Sequence, residues 1–176
     1  MISMAMLHDA QRVLKPVINR TPVIQTKGIV PGCDFYLKAD CLQKTGAFKL
    51  RGAYYKIATL SDEEKERGVI ACSAGNHAQG VAYAARDMGI RATICIPEGA
   101  PLSKIEATRS YGANVVLVPG VYDDAYALPD SGGNLINVAG RMWLYVGFFP
   151  FLFLRNPIPD EGNQEPKPVD LWGLNP

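Results

Sequence analysis

Residues 73–80, which read SAGNHAQG, combine short polar side chains with two glycines. They follow the apolar run 69–72 and precede a helix-forming stretch, so they lie where a predicted strand ends and a predicted helix begins. In open parallel sheets, ligands bind outside the carboxyl ends of strands, and the unpaired N–H groups of a helix N-terminus attract an anion. With Ser73, Asn76 and His77 at that point, the pattern favours a site for a carboxylate or phosphate. The alternative is that Asn76 only caps the helix and Ser73 only closes a turn.

A second candidate is Lys49, within residues 44–53, which read KTGAFKLRGA. It follows an aromatic residue and falls on the first turn of a predicted helix. The helix dipole disfavours a cation at that end and so favours the neutral amine, the form that attacks an aldehyde to give a Schiff base. The alternative is an exposed lysine on a helix surface, and spacing alone leaves both open.

The elements that must position these segments alternate between strands and helices. Short apolar runs predict strands at 69–72, 92–96 and 114–118, and the last two are stopped by Pro97 and Pro119. Between them, residues 76–88 form an apolar helical stripe closed by Gly89, and a further helix ends at Gly112, with Ser103 and Glu106 placed as a capping box. This order predicts an α/β fold with parallel strands joined by right-handed crossovers and helices on both faces.

The preceding residues continue the same alternation. An amphipathic helix is predicted over 4–14, a strand around 35–38, a helix over 48–60 and a short charged helix from Ser61. The charges of that last helix are expected to form a solvated face.

Composition excludes several classes of function. The net charge is +1 and the basic residues are scattered singly, which gives no reason to expect nucleic-acid binding or an anionic membrane surface. No secretory signal or transit peptide is recognisable at the start of the sequence, and no glycine-rich nucleotide-binding motif follows a predicted strand.

Four cysteines and two histidines are also informative. No CxxC pair occurs among the four cysteines, Cys33, Cys41, Cys72 and Cys95, and only two histidines are present. This pattern predicts free thiols in a reducing cytoplasm and no metal site. Cys72 and Cys95 fall inside predicted strands, where a thiol behaves as a small buried hydrophobe.

The pair TGAFKLRGA and SAGNHAQG, in this order and separation, resembles the threonine dehydratase branch of the fold-type-II pyridoxal-phosphate enzymes, which also includes serine dehydratases and serine racemases. The resemblance runs from about Arg20-Thr21-Pro22-Val23 to Ala127. It implies a three-layer open parallel sheet of the tryptophan-synthase-β-like class. Residues 1–50 would be the N-terminal piece of the large cofactor domain and 51–127 a small α/β domain.

The resemblance implies a role for each matching residue. Lys49 would form the Schiff base with pyridoxal 5'-phosphate, Phe48 would lie against its ring, and Asn76 would bind its phenolic oxygen. Ser73, Asn76 and His77 would hold the substrate carboxylate. In the same motif, Thr45 would lie near the substrate, while Arg51 and Gly52 would set the position of the helix.

The activity implied is β-elimination, which turns L-threonine into 2-oxobutanoate and ammonia, a step of amino-acid metabolism that leads to isoleucine. Serine racemases have a serine acid/base where this chain has Ala74, so dehydration is favoured over racemisation. The sequence does not decide between threonine and serine as substrate. A homo-oligomer is left open, and the alternative of a different class is a noncatalytic interaction protein that reuses the small domain.

Residues 128–176 are expected to diverge from the family. They hold seven of the 13 prolines and both tryptophans. Their apolar run, 142–154, is shorter than the ~20 residues that a membrane-spanning helix needs, and Pro150 interrupts it. Gly132 and Gly133 are a weak substitute for the glycine-rich loop that would hold the cofactor phosphate in the family.

We therefore expect the 176-residue chain to have little activity alone, because a cofactor without its phosphate clamp loses the rate benefit of positioning. Purified chain mixed with pyridoxal phosphate and L-threonine should yield little or no 2-oxobutanoate when the 2-oxo acid is quantified chromatographically. Robust turnover would contradict this expectation.

Overall fold

The computed structural model describes residues 3–26 and 34–120, together with the backbone of residues 136–137 and 153–155. The helices are α1 Met4–Leu14, α2 Lys49–Ala58, α3 Asp62–Arg67, α4 Asn76–Asp87 and α5 Leu102–Ser110. The strands are β1 Val23–Thr26, β2 Asp34–Lys38, β3 Val69–Cys72, β4 Ala92–Pro97, β5 Asn114–Val118, β6 Ile136–Asn137 and β7 Phe153–Arg155. A short 3₁₀ turn, Asp40–Leu42, lies between β2 and α2.

A parallel sheet of four strands carries the centre of the structure. Its order is β5-β4-β3-β6, and each neighbouring pair is parallel. Helix α4 connects β3 to β4 and α5 connects β4 to β5, as expected for parallel strands that need crossover connections. The predicted α/β fold with a parallel sheet is confirmed.

A second, antiparallel sheet has the order β1-β2-β7. Strand β2 was predicted, but β1 was not, because it has only four residues, two of them polar, and most of its side chains are exposed. Strands β6 and β7 both come from residues 128–176. The rest of the apolar run 142–154 lies outside the described residues.

The two faces of the parallel sheet are buried to different extents. On one face, alternate residues of β3 and β4, including Val69, Ile94 and Ile96, join a core with α2, α4 and Ile105 of α5. On the other face, the described buried residues form a smaller cluster of Cys72, Cys95 and Val118, with Ile70 against it. The burial of Cys72 and Cys95 confirms their prediction as strand thiols.

Most of the helix end signals expected from the sequence are confirmed. Gly89 and Gly112 follow α4 and α5 with φ of 69° and 83°, a left-handed conformation that favours glycine. The capping box predicted at Ser103 is wrong, because α5 begins two residues earlier than that cap implies, with Pro101 as its N-cap, and has no side-chain cap. The capping box forms instead at α3, from Ser61 and Glu64.

Two further properties hold for the part of the chain that is described. None of its helices has both the length and the apolar character that a membrane crossing requires. Its cysteines Cys41, Cys72 and Cys95 form no disulfide, whereas Cys33 lies outside the described residues. The domain boundaries expected at residues 50 and 127 stay predictions.

Helices α2 and α4 approach closely at Gly80. A Cβ atom built on Gly80 would lie 3.3 Å from three backbone atoms, the carbonyl carbon and oxygen of Lys49 and the amide nitrogen of Leu50. The absence of a side chain at Gly80 therefore allows the second turn of α4 to contact the start of α2. The two segments that carry the candidate chemistry meet at this contact.

Gly80→Ala is expected to destabilise the protein by ~1–2 kcal/mol, because the added methyl overpacks against backbone that has no rotamer to escape into, and this outweighs the ~1 kcal/mol gain in helix propensity. Urea unfolding at neutral pH measures the change. Gly99→Ala is the matched control, since nothing lies within 4 Å of its added Cβ and its φ is not positive. Equal stability of the two variants would argue against the tight contact.

Candidate active site

Lys49 is the first residue of α2, with Phe48 as the N-cap, and its side chain is half-buried. The prediction that Lys49 lies on the first turn of a helix is confirmed. At this end of α2 the backbone of Lys49 packs against Gly80, on the second turn of α4. The lysine is therefore held beside the N-terminal part of α4 rather than on an outer helix surface.

The loop between β3 and α4 provides the second half of the site. Ser73 continues β3 by donating its N–H to the Cys95 carbonyl at 3.1 Å, and its Oγ accepts the Gly75 N–H at 3.2 Å. Ser73 therefore closes a turn, as one of the two interpretations expected. Asn76 does not cap α4, because Gly75 is the N-cap and no side chain caps this helix.

The space around Gly75 is open. No atom lies within 4 Å of a Cβ built on Gly75, and its φ of −147° is extended. Asn76, the first residue of α4, is exposed beside it. The first N–H groups of α4 have no side-chain cap, so this helix end leaves donors available to an anion.

His77 is the most unusual group at this position. Its side chain is only 7% exposed, and neither Nδ1 nor Nε2 has a hydrogen-bond partner among the described residues. Burial, followed by the positive charge of Lys49, lowers the pKa of His77 to about 4. The ring is therefore neutral near pH 7, with one nitrogen able to donate and the other able to accept.

Thr45 is buried on the segment that leads into α2. Its hydroxyl donates to the Ala47 carbonyl at 3.5 Å, which is a weak local bond. The structure therefore brings Lys49 and His77 together where α2 meets α4, two residues after Gly75, and places Thr45 and Phe48 on the chain just before Lys49. The individual roles expected for Phe48, Thr45, Ser73, Asn76 and His77 stay predictions.

Two groups of residues around the site were not found from the sequence. The first joins the lysine segment to α4 and to the end of α5: Arg86 lies 5.3 Å from the ring centroids of both Tyr83 and Tyr111, and Lys44 lies 5.6 Å from that of Tyr83. The Tyr111 hydroxyl also donates to the Lys44 carbonyl at 3.4 Å. No local signal predicts this stack, because its members come from three separate elements.

The second group is a buried ion pair below the start of α2. Arg51 donates to both carboxylate oxygens of Asp40, from Nε to Oδ2 and from Nη2 to Oδ1, each at 2.9 Å. The interpretation of Arg51 as a residue that sets the helix agrees with this contact. Its partner was not identified, since an acidic residue eleven positions earlier carries no recognisable spacing.

These residues fit pyridoxal phosphate, an aldehyde cofactor with an anionic group. Lys49 offers an amine, the turn at Gly75 offers open space beside uncapped N–H groups, and the buried His77 ring lacks a partner within the described residues. In that same part of the chain, no group of three or more His, Cys, Asp or Glu residues could hold a metal ion.

Comparison with known proteins decides the family. The family model described as "pyridoxal-phosphate dependent enzyme" matches residues 14–146. The chain belongs to this family. The match extends beyond Ala127, where the resemblance seen in the motifs stops, and so includes β6.

Relatives in the family of pyridoxal-phosphate-dependent enzymes agree in sequence and structure. The chain is 55% identical over 128 residues to an L-threonine ammonia-lyase of Thermotoga maritima, covering 72% of this chain and 32% of that protein. The processed form of threonine deaminase isoform 2 from Solanum lycopersicum superposes with a TM-score of 0.66 at 34% identity, covering 78% of this chain and 43% of the other. Maize serine racemase superposes with a TM-score of 0.70 at 35% identity, covering 75% and 42%. The chain spans about a third of the length of the curated relatives it matches.

The lowered pKa of His77 predicts a pH-dependent stability. The folded protein keeps the ring neutral, whereas the unfolded chain protonates it below pH 6.5, so this contribution is complete above pH 6.5 and is lost as the pH falls toward about 4. A shift of this size corresponds to roughly 3 kcal/mol. Between pH 7 and 4.5 the wild type should therefore lose more free energy of unfolding, measured with urea, than His77→Gln. The carboxylates Asp9 and Asp40 titrate in both proteins and cancel in the difference; identical pH profiles would show that His77 is not kept neutral.

Proposed function

We propose that the protein of this chain is a pyridoxal-phosphate-dependent L-threonine dehydratase, converting L-threonine to 2-oxobutanoate and ammonia. The observation that carries the proposal is the position of Lys49, on the first turn of α2 and beside the neutral, buried His77 at the start of α4. Relatives named L-threonine ammonia-lyase and L-threonine dehydratase, at 55% and 49% identity, support the choice of substrate.

Lys49 would act first as a nucleophile and then as a base. Its amine would hold the cofactor at the aldehyde carbon and, once free, would accept the proton from the α-carbon of the substrate. The cofactor ring, when bound, supplies the electron sink for the charge that develops at that carbon. The close packing of the Lys49 backbone against Gly80 fixes the origin of the side chain through both steps.

The turn between β3 and α4 would hold the substrate carboxylate. The uncapped N–H groups at the start of α4 attract an anion, and Ser73, Asn76 and the neutral His77 supply further hydrogen bonds. A neutral His77 suits this role, since one ring nitrogen donates without adding a second positive charge next to Lys49. Asn76 would also reach the phenolic oxygen of the cofactor, and Phe48 and Thr45 would line the same site.

A serine racemase is the second candidate, favoured by the likeness to maize serine racemase. Ala74 argues against it, because racemisation needs a second acid/base on the opposite face of the substrate and a methyl group exchanges no proton. Dehydration needs only the base on one face. Serine as a second substrate for dehydration remains compatible with the same site.

We also place the protein in the cytoplasm, as an enzyme with a small amino-acid substrate. The absence of a CxxC pair from the sequence and the burial of Cys95 inside β4, where a thiol acts as a small apolar side chain, support a reducing compartment. Exposed apolar side chains on β1 and β2, Ile24 and Leu37, support association into a homo-oligomer.

The test is selective labelling of Lys49. When the chain is mixed with pyridoxal phosphate, reduced with borohydride and mapped by mass spectrometry, Lys49 should be labelled on the order of tenfold faster than Lys56, because the uncapped N–H groups of α4 attract the anionic cofactor to the space near Lys49. Lys56 lies on the same helix and is also half-buried, so it serves as an internal control.

L-threonine should slow the labelling of Lys49, because its amine competes for the aldehyde once its carboxylate is bound, whereas D-threonine should have little effect. Lys49→Ala should leave Lys56 labelled at its usual rate. Uniform labelling of all lysines would contradict the proposal and favour a noncatalytic interaction protein.

A further inference from the structure

A polar network lies below the first turn of α2, formed by Thr21, Lys38, Asp40 and Arg51; we refer to it as the Asp40 network. Asp40 is 5% exposed and Thr21 is 1% exposed, so both are buried. The Thr21 hydroxyl donates to Asp40 Oδ1 at 2.5 Å, and Lys38 Nζ donates to the Thr21 carbonyl at 2.6 Å. Arg51 completes the network through two bonds to Asp40 and one of 3.4 Å to Thr21 Oγ1.

The carboxyl group of Asp40 is charged within this network. Burial by itself raises the pKa of Asp40, but the hydrogen bonds from Arg51 and Thr21 outweigh burial and leave the pKa below its usual value. Both oxygens of the carboxylate accept bonds, in the planar two-point geometry that only a guanidinium provides. The pair therefore fixes a direction as well as a distance.

The Asp40 network holds both ends of the segment that carries Lys49, residues 40–51. Asp40 begins the 3₁₀ turn Asp40–Leu42, and Arg51 lies two residues beyond Lys49 on the first turn of α2. The Arg51 N–H donates to the Phe48 carbonyl at 3.0 Å, so the backbone on either side of Lys49 follows the guanidinium. A displacement of Arg51 would therefore rotate the first turn and move the origin of the lysine side chain.

Stability alone is a poor explanation for this arrangement. Taking an ion pair out of water costs about as much as the attraction returns, so well-packed apolar residues would stabilise the same position equally well. What the ion pair adds is a single geometry for the start of α2. The network also explains the role of Thr21, which has no direct part in the site. Thr21 belongs to the stretch Arg20-Thr21-Pro22-Val23, where the family resemblance begins.

We propose that Asp40 is a positioning residue for the reaction: through Arg51 it holds the first turn of α2 so that the amine of Lys49 faces the turn at Gly75. The inference rests on the proposed function, because the benefit of this geometry is realised only if Lys49 bonds the cofactor. It assigns a role to Asp40, Thr21 and Arg51 without placing any of them in contact with substrate.

The experiment compares Asp40→Asn and Arg51→Lys with wild type in the full 176-residue chain. Asp40→Asn keeps the shape and removes the charge; Arg51→Lys keeps the charge and loses the two-point contact, and it is the milder change if Asp40→Asn folds poorly. Labelling of Lys49 by pyridoxal phosphate and borohydride should slow on the order of tenfold in each, to about the rate of Lys56. Labelling of Lys56, on the last turns of the same helix, should stay within about twofold.

The matched control is Tyr54→Phe. It removes one hydrogen bond from the same helix, between the Tyr54 hydroxyl and Asp87 Oδ2 at 2.8 Å, but from a later turn. We expect it to lower the melting temperature without changing the labelling of Lys49. If Tyr54→Phe lost as much Lys49 labelling as Arg51→Lys, the Asp40 network would act only through the overall stability of the protein. That result would overturn the inference.

Hydrogen–deuterium exchange separates this inference from the proposed function. The Arg51 and Gly52 amides should exchange faster in Asp40→Asn and Arg51→Lys, while the amides near Ile57 keep their protection. If wild type shows no preference for Lys49, the proposed function fails, and the exchange result still decides whether Asp40 positions the turn. Unchanged exchange at Arg51 would overturn the positioning role whatever the labelling shows.

Discussion

The contact between Gly80 and the backbone of Lys49 is the constraint on which the site depends. It brings the start of α2 against the start of α4 at a separation that leaves little room for any side chain at position 80. One of these helix ends carries the amine and the other carries the uncapped N–H groups and His77. A larger residue would move these two helix ends apart without altering the residues on either of them. Packing therefore creates the site, and the polar residues make use of it.

Two buried polar side chains near this contact, Asp40 and His77, differ in their hydrogen bonding. Asp40 has every bond that a carboxylate needs, from Arg51 and from Thr21. His77 has no bond from either ring nitrogen within the described structure. A buried polar group without a partner costs free energy and persists mainly where function needs it. The hydrogen-bonded Asp40 is consistent with a structural support for the start of α2. The His77 ring, which has no partner within the described residues, is consistent with a binding site for a ligand.

The sequence predicted most of the local structure correctly. Strands β3 and β5 and helix α1 have the bounds that their apolar patterns indicate, since burial on one face imposes a period of two or 3.6 residues. The strand β1 was missed because two of its four residues are polar and most of its side chains are exposed. The capping box at Ser103 was wrong because a Glu three residues after a Ser is a common spacing, and Pro101 places the start of α5 earlier.

The sequence by itself, through two motifs that resemble a known family, determined the family and named the candidate residues: a lysine at a helix start, a polar turn after a strand, and an alanine where racemisation would need an acid. Only the tertiary structure decided which groups meet. It paired Asp40 with Arg51, placed Arg86 over the rings of both Tyr83 and Tyr111, and buried His77 near Lys49. The reason is physical, because a local pattern records the periodicity that one element needs, whereas these contacts join residues from separate elements and form only when those elements pack.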